Sequence, residues 1–158
     1  MSDASFHDGR EAPLNLGAQD EADLQVISTL AQDAIFPATE MSWRAAERRF
    51  ALLVNRFRWE DRATAEARGR DYERVQSLLV VDNVLGVSSQ GVDRKDKDLV
   101  LSLLSVAFEA TEDGAGHVIL TLAGDGALRL SVEALEVSLR DVTRPYRAPS
   151  RHVPDHGA

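Results

Sequence analysis

Residues 47–60 read Glu-Arg-Arg-Phe-Ala-Leu-Leu-Val-Asn-Arg-Phe-Arg-Trp-Glu, a stretch in which arginines and aromatics interleave. Read as a strand with a side-chain period of two, it sets Arg56 and Arg58 on the face of Phe50, Leu52 and Val54. Asn55 falls on the opposite face with Leu53, Phe57 and Trp59. Two guanidinium groups on one face can grip a carboxylate or phosphate bidentately, and Trp59 or Trp43 can supply a stacking surface. Arg48, Asn55, Arg56, Arg58 and Trp59 are therefore the candidate ligand-binding residues. The competing reading is structural: Arg56 pairs with an internal acid and the aromatics belong to the core.

Other chemistry is poorly supported. Of the histidines, His7, His152 and His156 lie near the chain ends, and only His117 sits in a patterned region. No HExxH motif occurs, and no metal is expected, because a metal site needs several ligands converging from ordered elements. Ser77, Ser88, Ser89, Ser102 and Ser105 have no histidine near them in sequence, and G-x-S-x-G, Walker A and dinucleotide fingerprints are missing. The acids Asp93, Asp96 and Asp98 alternate with Arg94, Lys95 and Lys97 and lack the glycine and terminal glutamate of a calcium loop. Glu133 and Glu136 form another acidic pair with no assignable partner. We expect no catalytic residue and no cofactor, and lean away from an enzyme.

These residues need elements to position them. Asp20 is a helix N-cap, followed by Leu24, Ile27, Leu30, Ala31 and Ala34 at helical spacing, with Pro37 as the stop. Strands are predicted near 14–16, 41–44, 48–59, 72–81, 84–90, 99–109, 117–122 and 127–132. Asp82-Asn83 reads as a tight turn or bulge and Gly124-Asp125-Gly126 as a hairpin turn. Residues 60–70, charged and alanine-rich, read as a mobile loop with a helical turn. Residues 133–142 fit either a helix or a strand. Residues 77–87 and 127–137 resemble one another: each alternates, breaks phase over two polar or small residues, and alternates again.

The expected fold is therefore α+β and mainly antiparallel β, with an N-terminal helix packed on a bent sheet or small barrel. The alternative is a pleckstrin-homology-like barrel with a C-terminal helix over 133–142. We expect a disordered N-terminus over 1–13, a single globular domain over 14–142 and a flexible C-terminal tail over 143–158.

Composition narrows the partners. The 158 residues carry a formal charge of −8. Residues 1–40 hold one arginine against eight acids, whereas residues 41–74 hold nine arginines against six acids. Net acidity argues against general nucleic-acid binding, which is driven by phosphate neutralisation. No run of 18 apolar residues exists, so a membrane span is not expected. The absence of cysteine excludes disulfides and a thiol nucleophile and fits a cytoplasmic protein.

Residues 47–52 with 55–60, the segment Glu73-Arg74-Val75-Gln76-Ser77, the strand over 99–108, the Asp-rich first helix and the pattern over 127–142 together resemble a bacterial family catalogued as domain of unknown function 2948. The resemblance spans about residues 14–142. It implies a small bacterial cytoplasmic protein and carries no catalytic residues. Function remains open between a non-catalytic protein-interaction or regulatory module, with a protein partner or as a homo-oligomer, and a barrel binding a small anionic ligand through Arg48, Asn55, Arg56 and Arg58.

Overall fold

Asp20 begins the first helix through its side chain. Its backbone is extended, and Oδ1 accepts from the Asp23 N–H at 2.8 Å, satisfying one of the donors a helix start leaves without a partner. The computed structural model describes residues 12–93, 95–148 and 153–154. Helix α1 (Glu21–Leu30) buries Leu24 and Ile27. Each such burial is worth about 1.5–3 kcal/mol before the entropy of ordering is counted. The Ser28 hydroxyl accepts from the Val106 N–H at 2.9 Å.

The helix ends well before Pro37. Asp33 adopts a left-handed backbone (φ 63°) and its N–H donates to Leu103 O at 2.7 Å, while Leu103 N–H donates to Ala34 O at 2.8 Å. The sheet captures the backbone that the helical pattern would have continued through. Ile35–Pro37 becomes strand β2 instead.

Eleven strands form one sheet: β1 (Asn15–Ala18), β2, β3 (Met41–Arg44), β4 (Arg49–Phe57), β5 (Glu73–Val81), β6 (Val84–Gln90), β7 (Val100–Ala110), β8 (Gly116–Leu122), β9 (Ala127–Val132), β10 (Val137–Asp141) and β11 (Tyr146–Arg147). The order is β1-β10-β5-β4-β2-β7-β8-β9-β6, with β3 beside β4 and β11 beside β5. The pairings are antiparallel. The path runs from β1 to β6 and the sheet is not closed, so the barrel expectation is corrected. Residues 137–141 are a strand, which removes the C-terminal helix of the pleckstrin-homology-like alternative.

Asp82-Asn83, read as a tight turn or bulge, does not fold β6 back onto β5. β6 pairs with β9 and not with β5, which pairs with β10. Asn83 turns left-handed (φ 61°), Asp82 N–H donates to Glu136 O at 2.9 Å, and Glu133 N–H donates to Asn83 O at 3.0 Å. The breaks at 82–83 and 133–136 are thus one corner, where two neighbouring strands pass together from one half of the sheet to the other. This gives the resemblance between 77–87 and 127–137 a structural content.

By contrast, β8 and β9 form the hairpin that Gly124-Asp125 signals, with φ of 79° and 66° at those positions. Residues 60–70 hold a short helix, α2 (Arg62–Ala67), which ends at Gly69 in the left-handed region (φ 63°). Within 143–158, read as a tail, β11 pairs with β5 and Ala148 is buried. His7, His152, His156 and Arg94 lie outside the described residues.

The buried rows of both sheet halves belong to one apolar cluster. One half contributes Phe50, Leu52, Val54, Leu79, Val81 and Leu139, and the other Leu103, Val118, Leu120, Leu122, Leu128 and Leu130.

Candidate functional site

The inner row of β4 runs Phe50, Leu52, Val54, Arg56, and that of β5 runs Val75, Ser77, Leu79, Val81. Register sets Val54 opposite Ser77, and Ser77 opposite Asp141 on β10. At this end the apolar row turns polar. Arg56 is fully buried and holds Glu60 through a two-pronged contact, Nη1–Oε1 at 2.8 Å and Nη2–Oε2 at 2.9 Å. Its Nη2 also donates to Asp141 Oδ1 at 3.0 Å and its Nε to Ser77 Oγ at 3.1 Å. Ser77 Oγ donates to Asp141 Oδ1 at 2.7 Å, and Leu14 N–H donates to Asp141 Oδ2 at 2.9 Å. Burial pulls the guanidinium pKa down, and the hydrogen bonds and charges of Glu60 and Asp141 more than offset it, so the net direction is upward.

Arg58 extends this network. It pairs with Glu73 and lies 3.6 Å from Asp61 and 3.7 Å from Glu60. Asp61 in turn takes both Nη atoms of Arg70, at 2.7 and 2.6 Å. That hydrogen bonding holds the Arg70 guanidinium above its ordinary value. Arg56 and Arg58 do share a face, and the acids around them come from β10, β5 and the turn after β4. Their donors face carboxylates of the same chain.

The other sequence candidates lie apart. Trp59 donates its indole N–H to Gln32 O at 2.9 Å and meets Phe57 edge-on at 4.7 Å. Asn55 donates to Tyr146 Oη at 2.6 Å, and its Oδ1 accepts from Arg74 at 3.3 Å. Burial lowers the Arg74 pKa. Arg48 sits at the corner with φ 54° and pairs with Glu133. The five residues therefore divide between a buried network, an aromatic contact, the outer side of β4 and the corner.

A concavity lies on the opposite, outer face of the same half-sheet. It is a groove of about 600 Å³. Its floor is Ala51 and Leu53 of β4 with Leu78 and Val80 of β5. Register places these side by side, Ala51 opposite Val80 and Leu53 opposite Leu78. Arg44, Arg49 and Arg140 line it, together with the carboxylates Glu40 and Asp82. Asp82 is already engaged, its Oδ1 accepting from Arg49 Nε at 2.8 Å, and this bond raises the Arg49 pKa. Among the described residues Arg44 has a single ion pair, a 3.6 Å contact with exposed Glu47. Arg140 makes no ion pair or side-chain hydrogen bond among the described residues.

Arg44, Arg49 and Arg140 escaped the sequence reading. A signal existed: Ala51 and Leu53 make the second face of β4 apolar, which only a covered or docking face explains. Arg140 carried none, because 133–142 fits either a helix or a strand, and only the similarity to 77–87 favours strand.

No group of three metal-ligating side chains occurs among the described residues. No helix among them is long and apolar enough to cross a membrane. His117 lies 3.3 Å from Arg129 and has no neighbouring nucleophile in hydrogen-bond contact. A family model described as a protein of unknown function, DUF2948, matches residues 14–156. No curated protein matches the chain, and no solved structure does.

Proposed function

This chain belongs to the DUF2948 family, and because that family has no assigned activity we propose from geometry alone that the protein is a non-catalytic interaction module that docks an acidic, leucine-bearing segment of a partner protein on its outer groove. The observation that carries this reading is an apolar floor of Ala51, Leu53, Leu78 and Val80 beneath Arg140, a cation that pairs with no acid among the described residues. An apolar strip beside cations suits alternating acidic and apolar residues on an extended chain. The absence of cysteine fits a reducing, cytoplasmic setting. A bent sheet covered by α1 would serve as the rigid support.

The anionic-ligand reading built on Arg56 and Arg58 gains no support, because their donors already meet Glu60, Asp141, Glu73 and Asp61.

The test is fluorescence anisotropy with a labelled extended peptide alternating glutamate and leucine. Binding that weakens with salt and falls about tenfold in Arg140→Glu, with unfolding free energy unchanged within about 0.5 kcal/mol, is the expected outcome. Equal binding by the variant, or no binding by the wild type, overturns the reading.

A further inference from the structure

A second polar surface lies on the other half of the sheet, on the outward face of β8, β9 and β6. Register places His117, Ser131 and Gly86 in one row across the three strands, since Ser131 faces His117 on one side and Gly86 on the other. Arg129 and Ser88 stand opposite each other one step along and share that face. A shallow hollow of about 340 Å³ gathers these residues with Val87.

Three features set this hollow apart from an ordinary exposed sheet. The strand pairing shifts between Val84 and Gly86, so Gly86 sits at an irregularity in β6. No atom beyond its chain neighbours stands within 4 Å of where its Cβ would be, which leaves open space beside Ser131 at the β6 end of the row. No carboxylate lines the hollow. Glu109 stands directly opposite His117 on β7, on its far side from Ser131.

The hydrogen-bonding roles then follow. Arg129 Nη2 lies 3.3 Å from His117 Nδ1. A guanidinium can only donate, so Nδ1 is the acceptor and the imidazole proton sits on Nε2. The hollow therefore offers the remaining Arg129 N–H groups, the His117 Nε2–H and the hydroxyls of Ser131 and Ser88. Neither hydroxyl has a hydrogen-bond partner among the described residues. This is a donor-rich set with no carboxylate in its lining, open at the β6 edge beside Gly86.

We infer that this hollow binds a phosphate-type oxyanion, either free phosphate or the phosphoryl group of a phosphorylated side chain. Arg129 supplies the charge and the planar fork, and the hydroxyls supply neutral donors to the remaining oxygens. Gly86 leaves the room the anion occupies. The site is separate from the groove of β3, β4, β5 and β10 and does not depend on that reading.

The full chain, labelled for NMR, is titrated with inorganic phosphate and, in a parallel arm, with a short phosphoserine peptide. Sodium chloride at matched ionic strength is the control. The expected result is saturable shifts at Gly86, Ser88, His117, Arg129 and Ser131 that chloride does not reproduce. Arg129→Gln weakens binding about tenfold, as removing a charged two-pronged donor should. Gly86→Val fills the open space beside Ser131 and also abolishes the shifts, with the remaining spectrum unchanged. Tighter binding of the phosphopeptide than of phosphate assigns the site to a phosphorylated chain, and equal or weaker binding assigns it to the free anion. Absence of saturable shifts in both arms, identical shifts with chloride, or full retention of binding in Arg129→Gln overturns the inference.

Discussion

Arg140 and Asp141 are neighbours on β10 and face opposite sides of the sheet. Asp141 points inward and, with Ser77 and Glu60, encloses the buried guanidinium of Arg56. Arg140 points outward, over a floor of aliphatic side chains, and makes no ion pair with an acid among the described residues. One half-sheet thus carries two kinds of arginine. The inner one has its donors committed to its own chain, where a charge taken out of water must be compensated in place. The outer one has its donors uncommitted to any acid among the described residues, which is what the proposed docking role needs. An arginine becomes a plausible recognition group by what surrounds it, and burial alone points the other way.

The largest effect that tests this contrast comes from Arg56→Met. Removing the cation leaves Asp141 and Glu60 with uncompensated charge beside the core, and the expected loss is about 4 kcal/mol by urea unfolding. A loss under about 1 kcal/mol would mean the acid enclosure is not structural and would return Arg56 to the list of binding groups.

Next in size is Leu120→Ala in the other half, where the inner row has no charge. Leu120 is fully buried and lies among Val118, Leu122 and Leu130 of the same cluster. The expected cost is about 3 kcal/mol, from lost transfer energy and a residual cavity. A cost near that of Arg56→Met would say that the two halves are held with similar strength by different means. A much smaller cost would place the stability of the sheet in the charged half.

The smallest effect is an exposed counterpart to the buried network. Tyr72 Oη donates to Glu66 Oε2 at 2.5 Å. That hydrogen bond first, and then loss of hydration, raises the phenol above its ordinary value of 10.0. The same bond, with that of Arg62, lowers the Glu66 pKa. The sign follows from linkage: a raised phenol contributes stability below its unfolded pKa and loses it as pH rises through the folded value, and a lowered carboxyl contributes above its unfolded pKa and loses it as pH falls through the folded one. Absorbance titration should show one tyrosine ionising at lower pH in Glu66→Gln than in the wild type. Identical titrations would remove this contact.

Much of this architecture was legible in the chain, and the losses have physical reasons. Asp20 declared the start of α1, and the alternation of Phe50, Leu52, Val54 and Arg56 declared which face Arg56 shares. The end of α1 was not legible, because Asp33 and Ala34 bond to Leu103 about 70 residues away, a partner that no local pattern names. The turn at Asp82-Asn83 was visible, and its consequence was not: a corner and a hairpin share the same local signal, and only pairing to β9 distinguishes them. The acids that hold Arg56 were equally hidden. Glu60 is four residues on, but Asp141 belonged to a stretch whose period fitted both helix and strand. The groove residues Ala51 and Leu53 were visible as a second apolar face, whereas their meeting with Leu78, Val80 and Arg140 depends on strand order.

The most direct test of docking on the outer face is photo-crosslinking in the native cell. A photoreactive residue replaces Val80 on the groove floor, in the wild-type background and in Arg140→Glu, and the adducts are sequenced. The account predicts one dominant protein adduct, joined through an acidic, leucine-bearing segment and lost in Arg140→Glu. An adduct insensitive to Arg140→Glu, an adduct with a second copy of the same chain, or no adduct at all would contradict it.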